Sequence, residues 1–134
     1  MPIGAAAGEQ REVHLRVRVL KGFWERLRGL IGEPPPAPQE AVWLPNCRQI
    51  HTLAMRYPID VVHIDRRGRV LAVAQIKPWR LGRWHAQASG VLEMRAGVAA
   101  ALGFGVGMTV HWRLKGSQWH IAIESNPRVA ETQA

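Results

Sequence analysis

The sequence predicts a mainly β domain, barrel- or sandwich-like, of about seven or eight short strands with two short helices. Three observations carry this reading. Short segments either alternate apolar and polar side chains or run apolar and β-branched. Turns bearing Gly or Pro separate them at short intervals. Only 22–32 and 96–105 exchange the two-residue period for a helical one. A chain of 134 residues suffices for a single domain over 1–134 with a modest core, with residues 1–10 and 126–134 expected as flexible tails.

"EVHLRVRVL" (12–20) places Val13, Leu15, Val17 and Val19 on one face and Glu12, His14, Arg16 and Arg18 on the other, a half-buried strand. "GFWERLRGLIG" (22–32) gathers Phe23, Leu27, Leu30 and Ile31 between glycines, as a short helix closing at Gly32 would. "EPPPAP" (33–38) allows only an extended surface loop. "AVWLP" (41–45) is a strand stopped by Pro45. "IDVVHID" (59–65) and "RVLAVAQIK" (69–77) form a hairpin through Arg66, Arg67 and Gly68, and 78–90 is a loop. "VLEMR" (91–95) is a strand, and "AGVAAALGFG" (96–105) gives one or two helical turns framed by glycines. Residues 108–124 make a second hairpin turning at Gly116-Ser117, which sets Arg113 opposite His120; with His111 and Lys115 they form an exposed polar face.

Composition narrows the function classes. The net charge of +8 allows anionic partners, but the basic residues are spread along the chain with no block of five like charges. That spread argues against nucleic acid as the partner. No apolar run approaches the roughly 20 residues of a membrane span. Cys47 is the only cysteine, so no intramolecular disulfide forms. With a start that lacks signal-peptide features, a cytoplasmic location is expected.

"RLRGL", "HTLAMRYPIDVVHID", "KPWR" and "VLEMRAGVAAALGFGVGMTV" together resemble the domain of unknown function 192 family, from about residue 21 to 112 with motif order preserved. The resemblance implies a prokaryotic, mainly β, sandwich-like fold and no established catalytic residues. His63 stands where the family often has a large apolar residue, and Met108 where it often has an acid. Cys47 and His51 beside the central Met resemble a branch whose members occur near pilus-assembly genes, which implies a possible link to such systems.

Candidate chemistry concentrates in "NCRQIHTLAMRYPID" (46–60). A helical turn would bring Cys47 and His51, four residues apart, onto one face, where an imidazole can deprotonate a thiol. Asp60 could orient that imidazole, completing a Cys-His-Asp arrangement for a small enzyme or a redox-sensing thiol. The alternative is an inert Cys, with Asp60 pinning the 46–52 loop through backbone N–H groups or Thr52. Met55 and Ile59 are expected in the core, with Pro58 stiffening the entry to the strand. A metal site could draw on Cys47, His51, Asp60, His63 or His85, but no second closely spaced Cys/His pair completes one, so no metal or cofactor is expected. Glu93 either faces solvent or caps the helix beginning near Gly97. "KPWRLGRWH" interleaves Lys77, Arg80 and Arg83 with Trp79 and Trp84, which suits a lid or an anion grip. The reading adopted is a non-enzymatic module that binds a small ligand or a protein at 46–60 and 78–85, through Cys47, His51, Thr52, Met55, Asp60, Trp79, Arg80 and Trp84.

Overall fold

Alternation and tight turns produce seven strands in one mixed sheet. A computed structural model describes residues 9–20 and 30–125. In chain order these are β1 (Gln10–Val19), β2 (Glu40–Pro45), β3 (Ile59–Asp65), β4 (Val70–Ile76), β5 (Ala88–Arg95), α1 (Val98–Leu102), β6 (Thr109–Lys115) and β7 (Gln118–Glu124). The spatial order is β4-β3-β5-β2-β1-β7-β6. Only β1 and β2 run parallel; the other neighbours are antiparallel.

The central strands β3 and β5 bury both faces, which is why 59–65 shows no clean apolar–polar alternation. One face sends Val62, Ile64, Leu92 and Met94 against Val13, Leu15 and Val17 of β1 and Val98 of α1. The other sends Ile59, Val61 and Val91 against Leu44, Ile50 and Met55. Met55 and Ile59 therefore sit in the core as the sequence requires. Gly90 lets Trp43 lie across β5: a Cβ there would meet the indole at 2.2 Å.

The edge strands β4 and β6 meet at their beginnings. Val70 N–H donates to Met108 O (2.7 Å), Gly107 N–H to Val70 O (2.9 Å) and Val110 N–H to Gly68 O (2.7 Å). Pairing between the edges is limited to one bridge, Arg69 with Thr109, so the sheet curls strongly without closing into a barrel. Closure would require the two edges to pair along their length in a consistent stagger. Gly68 is needed at this seam, because its φ of 85° favours glycine and a Cβ would lie 2.6 Å from Val110 O.

Three boundaries differ from expectation. Gln10, assigned to a flexible tail, opens β1 and accepts a hydrogen bond from Arg113 Nη2 at 2.6 Å. Strand β5 starts at Ala88, inside the expected loop, because Ala88 to Gly90 pair with Asp65, Ile64 and Pro45. Of the two helices, α1 forms; the other falls largely on residues outside the described ones, apart from the turn at Leu30–Gly32 where Gly32 takes φ 78°. Among the described residues no helix is long and apolar enough to cross a membrane.

Candidate functional site

The segment carrying Cys47 and His51 forms no helical turn; it runs extended against the loop after β4. His51 pairs antiparallel with Leu81. Thr52 N–H donates to Arg80 O and Trp79 N–H to Thr52 O, both at 2.8 Å. Gly82 N–H reaches Ile50 O (2.9 Å), and His85 N–H reaches Arg48 O (3.0 Å). Thr52 is fully buried at the centre of this ladder. Its hydroxyl donates to Lys77 O (2.6 Å) and accepts from Arg80 N–H (2.9 Å), satisfying both backbone groups at the bend. The two regions singled out in the sequence are thus joined, with Thr52 as the clamp.

The Cys-His-Asp arrangement is not assembled. The Asp60 side chain points to the helix-bearing face of the sheet, where Oδ2 accepts Gly97 N–H and Ala99 N–H, both at 2.9 Å. It therefore caps α1, whose own N-cap Gly97 has no side chain to do so, rather than pinning the 46–52 loop. Cys47 packs against the opposite core cluster and its thiol donates to Gln49 O at 3.2 Å. His51 Nδ1 accepts Leu53 N–H at 3.3 Å, so that nitrogen serves the loop backbone.

Glu93 neither faces solvent nor caps the helix. It is buried on the Met55 face of β5, flanked by Val61 and Val42 on the neighbouring strands. Its Oε2 has no hydrogen-bond partner among the described residues. Burial pushes its carboxyl up to about 7. His63 on β3 is buried too, and its ring lies 4.1 Å from that of His85, centroid to centroid. Neither ring nitrogen makes a hydrogen bond of good geometry with a described residue. Burial first, and His85 second, hold its pKa down near 4, weakly opposed by the Arg48 backbone. Among the described residues no three or more His, Cys, Asp or Glu converge as metal ligands would.

What the ladder presents outward is apolar and basic. Leu53, Trp79, Leu81 and Trp84 are 46%, 63%, 70% and 59% exposed, and they make up four of the six exposed large apolar side chains among the described residues. Arg48, Lys77, Arg80 and Arg83 lie in the paired segments 48–53 and 77–85, which contain no acidic residue. The Arg48 guanidinium sits 6.0 Å from the centroid of the Trp84 ring. Asn46, Ala54 and Trp79 are the described non-glycine residues with positive φ, and all three belong here. Leu53 and Leu81 were not anticipated: the available signal was a large apolar side chain in a loop otherwise rich in Arg and Trp.

Comparisons with known proteins bear on the family and the fold. The "UPF0127 protein PF1050" of Pyrococcus furiosus is 29% identical over 105 residues, covering 76% of this chain and 90% of that protein. The crystal structure of a protein of unknown function from Novosphingobium aromaticivorans superposes with a TM-score of 0.66 at 22% identity, over 73% of this chain and 75% of the other. One from Sinorhizobium meliloti, provisionally described as a transcription regulator, gives 0.63 at 19% identity, over 76% and 90%. At those identities the likeness shows a shared fold alone. Residues 5–112 match the model of domain of unknown function 192, described as "Uncharacterized ACR", and the chain belongs to that family.

Proposed function

We propose that the protein is a non-enzymatic binding module for another protein, and that the paired 48–53 and 77–85 segments are its binding face. The observation that carries this is the concentration of exposed Leu53, Trp79, Leu81 and Trp84 among four cations and no acid. Contiguous exposed apolar surface is costly in water and marks interaction sites. Trp and Arg are also the side chains that dominate binding energy at protein interfaces. A Trp held at φ 60° costs of order 1–3 kcal/mol, and such strain clusters at working surfaces. Charge complementarity specifies the partner: an acidic segment with an apolar anchor. The Cys47 enzyme is the weaker reading, since Asp60 is engaged with α1 and the thiol donates to Gln49 O.

Panning a random peptide display library on the folded protein tests this. Enriched peptides should pair Asp or Glu with an aromatic or aliphatic anchor. Leu81→Asp and Arg80→Glu should each weaken them at least tenfold, and Cys47→Ser should leave binding intact. Peptides that bind Leu81→Asp and the wild type equally would place recognition elsewhere.

A further inference from the structure

A second basic feature lies beside the ladder, in "DRRGR" (65–69), where β3 turns into β4. This turn and the segments 46–48 and 86–89 enclose a cleft of about 620 Å³. Its lining includes Arg48, Arg66, Arg67 and Arg69, with Asp65 as the one carboxylate. None of the four guanidinium groups forms an ion pair or side-chain hydrogen bond with a described residue; the described pairs involve Arg18, Arg113, Lys115 and His111 instead. Asp65 is engaged with the backbone, its Oδ1 accepting Arg67 N–H and Arg69 N–H at 2.9 Å each.

The turn is held rigid from both sides. Gly68 N–H donates to Asp65 O (3.0 Å), and Gly68 O accepts Val110 N–H from β6. On the other side Asn46 N–H donates to Ser89 O at 2.7 Å and Arg48 O accepts from His85. Four like charges gathered on a fixed frame repel one another, a cost that a bound anion relieves. Guanidinium forks match the oxygens of phosphate in two-point contacts.

We propose that this cleft binds a multiply phosphorylated small molecule, gripped by Arg66, Arg67 and Arg69 of the turn and by Arg48 of the adjoining segment. The volume falls in the range of small-molecule sites, roughly 300–1,000 Å³, and exceeds what one phosphate fills. No aromatic side chain lines it, so the cleft offers no platform for stacking a base. The four cations are gathered in one concavity rather than laid out along a track, which favours a compact polyanion over a nucleic-acid backbone.

Calorimetric titration of the full chain with tripolyphosphate, inorganic phosphate and a short DNA duplex tests this. Tripolyphosphate should bind one to one, at least tenfold more tightly than phosphate. Arg67→Gln and Arg48→Gln should each weaken it about tenfold or more, while Arg95→Gln, outside the cleft, should not. Because Arg48 does not belong to the turn, its variant reports on the cleft even if a turn variant misfolds. Three results would overturn the proposal: no tripolyphosphate binding, equal weakening by Arg95→Gln, or tighter binding of the duplex with the same loss in cleft variants. The last would assign the cleft to a nucleic-acid backbone. The peptide test uses Leu81 and Arg80, so the two proposals fail separately.

Discussion

Glu93→Gln should change how stability depends on pH, with His63 supplying the opposing half of the effect. The Glu93 carboxyl rises from 4.5 to about 7 on folding because burial disfavours its charge. Between those values the folded chain holds a proton that the unfolded chain has released. Stability from this group is therefore complete below about pH 4.5 and is lost as pH climbs to about 7. Each unit of pKa is worth about 1.4 kcal/mol, so the loss is about 3 kcal/mol. His63 falls from 6.5 to about 4, so there the unfolded chain holds the extra proton, and stability rises with pH over that window by a similar amount. From about pH 4.5 to 6.5 the two trends cancel in the wild type. Glu93→Gln should unmask the rise, and His63→Leu the fall. Urea unfolding followed by circular dichroism at half-unit pH steps measures this, provided the m-values stay constant. The stability difference between wild type and Glu93→Gln should shift by about 3 kcal/mol between pH 4 and 8, in favour of the variant at high pH. Groups common to both proteins drop out of that difference. A shift under about 1 kcal/mol would mean that Glu93 is not a desolvated carboxyl.

Other substitutions probe the frame. Asp60→Ala strips the buried acceptor from two N–H groups and should cost about 2–5 kcal/mol in chemical unfolding; Asp60→Asn, which keeps an oxygen in place, should cost roughly half as much. Equal losses would mean that charge, not hydrogen bonding, holds α1. Met55→Ala should cost about 2–5 kcal/mol by the same assay, as truncation in a packed core does. Gly90→Ala forces a methyl against Trp43 and should cost about 1–3 kcal/mol with a change in Trp fluorescence; an unchanged spectrum and midpoint would contradict the close approach. Cys47 should alkylate at the same rate in wild type and His51→Ala, because His51 Nδ1 serves Leu53 N–H; a slower variant would revive the thiol chemistry.

The strands were legible because alternation is a local signal. Val13, Leu15 and Val17 name the buried face of β1 without reference to any partner, and Gly68 and Gly116 fix where the hairpins turn. Arg113 does stand opposite His120, since a two-residue turn sets register by counting. The site was legible only as a neighbourhood. That 46–53 and 77–85 meet follows from the hairpin between them. Their outward presentation of Leu53 and Leu81 depends on Thr52 turning inward to clamp the ladder.

What the sequence determined by itself is therefore the mainly β class, the hairpins, the core places of Met55 and Ile59, and membership of the family. Tertiary structure alone decided where the polar side chains of the central strands went. Alternation assigns a residue to a face but does not say whether a second layer covers that face. Glu93 reads as solvent-facing until the layer bearing Ile50 and Met55 packs over it. Asp60 finds its donors 37 and 39 residues downstream, at a helix end that no local pattern links to it. The edges β4 and β6 likewise meet only because twist accumulates through five intervening strands, a property of the assembled sheet and of no single segment.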